Sequence, residues 1–162
     1  MTELLAPAGD SECFKAALCA GADAIYVGGK KFGARAYAGN FEQEDLIASL
    51  KLAHLHAKKV YLTVNTLMKE QELMELPSFI QPLYEEGLDG VIVQDLGALL
   101  LLREAFPGLD LHASTQMTVT GRYGAGLLKE YGVTRVVPAR ELSLREIVDM
   151  KEKTGLEIET FV

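Results

Sequence analysis

His112 and Ser114 stand two residues apart in the segment HASTQMTVT (112–120). On an extended backbone both side chains fall on one face, about 7 Å apart. A base beside a hydroxyl is the pair that nucleophilic acyl transfer needs, but no orienting acid accompanies it, which leaves the triad incomplete. The chain has neither a G-x-S-x-G elbow nor an H-E-x-x-H zinc motif. Asp95 is the third candidate for catalysis, as a general base; its place just ahead of LGALLLLREAF also predicts a helix N-cap, and one carboxylate can serve both. His54 and His56, two apart on a predicted helix, diverge and are read as surface residues. Cys13 and Cys19 point to different faces of a predicted helix, so they form neither a metal pair nor a disulfide. They are expected to be buried thiols.

These residues sit within a repeated phrase. GADAIYVG (21–28), GLDGVIVQ (87–94), GLDLHAST (108–115), GVTRVVPA (132–139) and GLEIETFV (155–162) each run from Gly through a polar residue into an apolar stretch. Gly accepts the left-handed conformation that ends a helix, so each phrase predicts a helix stop followed by a strand. AKKVYLTVN (57–65) follows the plan without the Gly. Helices are predicted around 11–20, 70–86, 96–105 and 121–131. Asn40 with Gln43, and Ser143 with Glu146, have the spacing of capping boxes that open two more.

Strand and helix alternate through about seven strands, the pattern of a parallel α/β protein. An open doubly wound sheet and a (β/α)8 barrel, which takes eight strands and typically about 250 residues, both fit this order. Strand faces favour the barrel. Tyr61, Thr63 and Asn65 oppose Val60, Leu62 and Val64, and His112, Ser114 and Gln116 oppose Leu111 and Ala113. Strands covered by helices on both faces should be apolar on both, whereas one polar face suits a barrel lumen. Binding residues then come from the C-terminal strand ends and the loops beyond them. Ala8, Gly9, Asp10 and Gly28 fall there, with Asn65, Gln94, Asp95, Ser114, Gln116, Arg140 and Glu141. Loop 28–41 is the longest and carries Arg35 and Asn40. Asn65 and Gln116 suit amide recognition, and Arg35 and Arg140 could fork onto a carboxylate or phosphate. Pro138 cannot donate to a ladder, which predicts a bulge or strand end there.

The totals narrow the classes. The chain has 162 residues, 49% hydrophobic and 24% charged, with a net charge of −7. That is the composition of a globular domain, and its acidity disfavours broad tracking along a phosphate backbone. No apolar run approaches the ~20 residues of a membrane span, and the start MTELLAPAGD has no signal-peptide pattern. A cytoplasmic location is expected, without a membrane partner.

ELLAPAGD (3–10), GADAIYVGGKKFGARAYAGNF (21–41), HASTQMTVT and ARELSLREI (139–147), in this order, resemble the collagenase-like peptidase family, peptidase family U32 of unknown catalytic type. The resemblance runs from Glu3 to Val162. It implies a parallel (β/α)8 TIM-type barrel and a family-level assignment to proteolysis, the substrate being a peptide. Other branches of the family imply hydroxylation of RNA bases or of the ubiquinone ring, some with an iron–sulfur cluster held by cysteines. In the family the strand that ends like ETFV continues into a His-Gly segment and a cysteine signature. Residues 1–162 are therefore expected to be the N-terminal portion of one barrel. Such a portion would work with the rest of the same protein and could oligomerise through exposed edges. Cys13 and Cys19 alone supply no cluster, since ligation takes about four cysteines, and no metal ligands are assigned within the chain.

Overall fold

The computed structural model describes residues 2–34 and 41–162. Seven parallel strands alternate with six helices among them, and the sheet order follows the sequence from β1 to β7. The strands are β1 Leu5–Ala8, β2 Ala24–Gly28, β3 Lys59–Val64, β4 Gly90–Val93, β5 Asp110–Ala113, β6 Val133–Val136 and β7 Glu157–Ile158. The helices are α1 Ser11–Cys19, α2 Gln43–Leu55, α3 Glu70–Glu85, α4 Leu96–Ala105, α5 Arg122–Glu130 and α6 Leu144–Thr154. This is the curled sheet of an incomplete (β/α)8 barrel, with β1 and β7 as its edges. The strand pattern predicted from sequence holds, and the barrel is chosen over the doubly wound sheet because neighbours in sequence are neighbours in the sheet throughout.

The helix stops follow from backbone sterics. Gly21, Gly87, Gly108, Gly132 and Gly155 all have positive φ, between 69° and 91°. The sixth stop, the phrase without a glycine, puts Ala57 at φ 53°, where its Cβ meets the crowding that left-handed backbone imposes on L-residues. Helix starts are set by side chains. Ser143 Oγ accepts from the Glu146 N–H while the Glu146 carboxylate accepts from the Ser143 N–H at 2.8 Å, the capping box expected at α6. The other predicted box, Asn40 with Gln43, has its first residue outside the described residues. Helix α2 begins at Gln43 with Glu42 as its N-cap, and Glu42 pairs with Lys30 instead of capping. Asn40, like Arg35, lies outside the described residues.

The two strand faces bury different things. Val60, Leu62, Val64, Val91, Val93, Leu111 and Ala113 join Leu46, Leu50, Leu76, Ile80, Leu83, Leu99 and Leu102 in one core between sheet and helices. Ala24, Tyr61 and Ile92, with Leu5 and Tyr26, form a second, smaller cluster inside the lumen. Gly90 makes room for it: a Cβ there would sit 3.2 Å from Tyr61 Cδ1 and 3.1 Å from the Asp110 carbonyl oxygen. Cys13 and Cys19 are exposed, contrary to the burial expected of them. Helix α1 turns Phe14 to the core, and both cysteines lie roughly 100–140° around the helix from it.

Ala57 is exposed and its side chain contributes no core contact. Ala57→Gly should therefore stabilise the fold by about 0.5–1 kcal/mol, the relief of left-handed strain less the added backbone entropy. Urea denaturation of the two proteins checks this, and an unchanged or lower midpoint would contradict it.

Candidate functional site: a polar lumen beneath a cavity at the strand ends

The lumen has a charged floor. Arg135, on β6, is 8% exposed and reaches three carboxylates. Its Nη1 donates to Glu3 Oε1 at 2.7 Å, and Nε and Nη2 donate to Glu157 Oε2 at 3.0 and 2.7 Å. Glu159 Oε2 lies 3.8 Å from Nη1. Burial alone would lower the guanidinium pKa, but its bonds to the Glu3 and Glu157 carboxylates outweigh it and the net shift is upward. The guanidinium stacks 5.1 Å from the centre of the Tyr61 ring, whose hydroxyl donates to Glu3 at 3.0 Å. Burial raises the Tyr61 hydroxyl, against the pull of Arg135.

His112 faces the same floor, edge-on to Tyr61 at 4.6 Å between ring centres. It is fully buried and its Nδ1 has no hydrogen-bond partner among the described residues. Burial, with the charges of Arg135 and Lys59, holds its pKa down to about 3, so the ring is neutral. An imidazole with so low a pKa is too weak a base to take the Ser114 proton. The Ser114 hydroxyl instead accepts from the Gln116 N–H at 3.2 Å, opening a short 3-10 turn over Thr115–Met117.

Above the floor, at the C-terminal strand ends, lies a cavity of about 300 Å³. Its walls carry the aromatic rings of Tyr26 and Phe161, the amides of Asn65 and Gln116, and the hydroxyls of Thr63, Ser114 and Thr115. Glu159 and Arg140 supply its charges, and Arg140 stacks on Phe161 at 4.6 Å. Ala8, Gly9 and Gly28 also line it. Asn65 is partly committed to the fold, since its Oδ1 accepts from the Ala34 N–H at 3.0 Å and so ties down the loop after β2.

Asn65, Gln116, Arg140 and Ser114, expected together at the C-terminal strand ends, all line the cavity. Gln94 and Glu141 stand outside it. Asp95 caps α4, accepting from the Ala98 N–H at 2.9 Å and from the Met68 N–H at 3.3 Å. Asp10 likewise caps α1. Arg35 lies outside the described residues. Pro138 follows the end of β6, as its missing N–H requires, and its carbonyl accepts from the Thr115 hydroxyl at 3.3 Å. Glu159, Phe161, Tyr26 and the Arg135 floor were not anticipated. Glu159 and Phe161 could have been found from GLEIETFV, where alternation sets Glu157, Glu159 and Phe161 on one face.

The profile of peptidase family U32 matches residues 9–162. The chain belongs to peptidase family U32. Among U32 relatives, an uncharacterized protease of Methanocaldococcus jannaschii is 41% identical over the whole chain. The tRNA hydroxylation protein P1 of Bacillus subtilis is 37% identical over 99% of it. The 23S rRNA 5-hydroxycytidine C2501 synthase of Escherichia coli is 39% identical, also over 99%. The chain spans 40%, 38% and 24% of these three proteins, respectively. The solved structure of a U32 peptidase superposes with a TM-score of 0.80 at 17% identity, over 99% of the chain and 68% of that structure, which shows the shared fold.

The described residues do not fit an iron–sulfur cluster. No three His, Cys, Asp or Glu among them come together to hold a metal, and Cys13 and Cys19 stand exposed on α1. No described helix is long and apolar enough to cross a membrane.

His112 makes a testable contribution to acid sensitivity. Its folded pKa is depressed below the unfolded value of about 6.5, so its share of stability is complete above pH 6.5. That share is lost as pH falls toward 3, because the unfolded chain takes up a proton that the folded lumen refuses. Between pH 6.5 and 5 this amounts to about 1.5 kcal/mol. His112→Phe, which keeps a ring against Tyr61, should flatten that stretch of the stability curve by about this amount in urea melts. An equal slope for both proteins would contradict the neutral, buried ring.

Proposed function

We propose that the chain supplies the substrate-binding wall of an enzyme that hydroxylates bases of RNA. The observation that carries this reading is the chemistry of the cavity. Two aromatic rings, two amides and three hydroxyls surround about 300 Å³ at the strand ends. A flipped or unpaired base is held by stacking on aromatic faces and by hydrogen bonds to its edge, and these walls offer both. Arg140 at the rim suits a phosphate, and the −7 charge of the chain favours one focused anion contact over a long basic track.

The names of the Bacillus subtilis and Escherichia coli relatives support the same reading. Proteolysis, the family-level assignment, asks for an activated nucleophile, and here Ser114 and His112 share no hydrogen bond while burial makes His112 a very weak base. An extended peptide also asks for a groove or an open strand edge more than for a pit at the strand ends.

Nucleoside mass spectrometry of total tRNA and rRNA tests the proposal. Deleting the gene that encodes the chain should abolish a hydroxylated nucleoside. Re-supplying Asn65→Ala should restore it at least tenfold less well than wild type at equal protein level. A nucleoside profile that deletion leaves unchanged would overturn the proposal.

A further inference from the structure

Glu159 is the only carboxylate that lines the cavity among the described residues. Its N–H donates to the Val136 carbonyl at 3.0 Å, extending the β6–β7 ladder by one residue and holding the side chain on the lumen side. The side chain is 16% exposed, yet its Oε2 is sealed from solvent and has no hydrogen-bond partner among the described residues. Arg135 approaches at 3.8 Å, close enough for charge attraction and too far for a hydrogen bond. The two other carboxylates of the floor are treated differently: Glu3 and Glu157 both accept short bonds from Arg135.

A carboxyl with one oxygen desolvated and short of a donor weakens a fold, and the part of the Glu159 side chain that stays exposed lines the cavity, where a ligand can donate to it. Burial raises the Glu159 carboxyl above the ordinary carboxylate range, opposed by Arg135 and assisted by Glu3, as expected of a group short of donors. Gln116 presents both a donor and an acceptor and can turn to suit either partner, while Asn65, its Oδ1 taken by the Ala34 N–H, offers its amide N–H groups. An ionised carboxylate only accepts, so it alone can discriminate by the ligand's donors. Phe161, two residues on along the same strand face, offers the stacking surface beside it.

We infer that Glu159 is a specificity-determining residue of the cavity, accepting a hydrogen bond from an N–H donor on the edge of the bound ring. This rests on the RNA-base reading above and assigns the contact that reads the base within it. Arg135 acts behind Glu159, holding the carboxylate by charge without consuming its acceptor capacity.

The test measures binding of the purified protein to single-stranded RNA pentanucleotides with each of the four bases at the centre. A second set carries the N-methylated forms that lack the edge donors: 3-methyluridine, N1,N2,N2-trimethylguanosine, N4,N4-dimethylcytidine and N6,N6-dimethyladenosine. For the base bound tightest, methylation should weaken wild-type binding about tenfold, the share of one charge-assisted hydrogen bond. Glu159→Gln should weaken the unmodified RNA by a similar factor. The two losses should not multiply, because both remove one contact. The methylated probes need no variant, so a poorly folding Glu159→Gln leaves that arm decisive. Equal wild-type affinity for methylated and unmodified RNA, or losses that multiply, would overturn the assignment of Glu159 while leaving the RNA reading intact. If the wild type binds none of the RNAs, the RNA reading fails and this inference falls with it.

Discussion

A guanidinium buried in a barrel lumen needs carboxylates, and this requirement organises the inside of the molecule. Arg135 on β6 draws in Glu3 from ahead of β1 and Glu157 from β7, residues 132 and 22 positions away in the chain. Glu3 and Glu157 lie at the two edges of the curled sheet, so the pair of bonds spans the opening between them. Taking such a charge out of water is costly, and only close, hydrogen-bonded partners offset it. The edges are therefore held together by charge where no ladder joins them. Tyr61 packs its face on the same guanidinium and donates to the same Glu3, so the floor is a connected network and not a set of separate pairs.

The floor also decides what can sit above it. Burial, together with the positive charge of Arg135 and Lys59, holds the His112 pKa down to about 3, which leaves the ring a poor proton acceptor. The third carboxylate, Glu159, is left near the cation but unbonded, on the cavity side. Polarity in the lumen thus runs from a satisfied ionic layer at the strand starts, through the rings of Tyr26 and Tyr61, to amides and hydroxyls at the strand ends. The last layer meets solvent and ligand. Chemistry at the C-terminal strand ends with stability below is the division of labour expected of this barrel architecture.

Much of the outer framework was legible in the sequence. Five glycines marked five helix stops because left-handed backbone is open to glycine and hardly to other residues, and all five take positive φ. Polar faces on β3 and β5 correctly marked the lumen, since a strand's two faces alternate strictly. Arg135 was missed for the same reason that β3 and β5 succeeded. Leu111 pairs with Val133, but His112 pairs with Arg135, so the register shifts and Thr134 is extra. Counting by twos from Val133, which is in the outer core, places Arg135 on the helix side; the irregularity turns it into the lumen. Glu3 was invisible as a partner because nothing local links it to a residue 132 positions on. Asp95 and Asp10 both cap helices, a use that sequence had weighed for Asp95 and that local backbone donors favour.

The most direct test of this account is a double-mutant cycle between Arg135 and Glu3, read by urea denaturation at pH 7. Arg135→Met should destabilise the protein by about 2 kcal/mol, because it strands the partly buried carboxylates of Glu3 and Glu159, and Glu3→Gln by less. The double variant should be more stable than the sum of the two losses implies, with a coupling of at least about 1 kcal/mol. Additive losses, or an Arg135→Met variant within about 0.5 kcal/mol of wild type, would contradict the claim that this buried ion cluster holds the sheet's edges together.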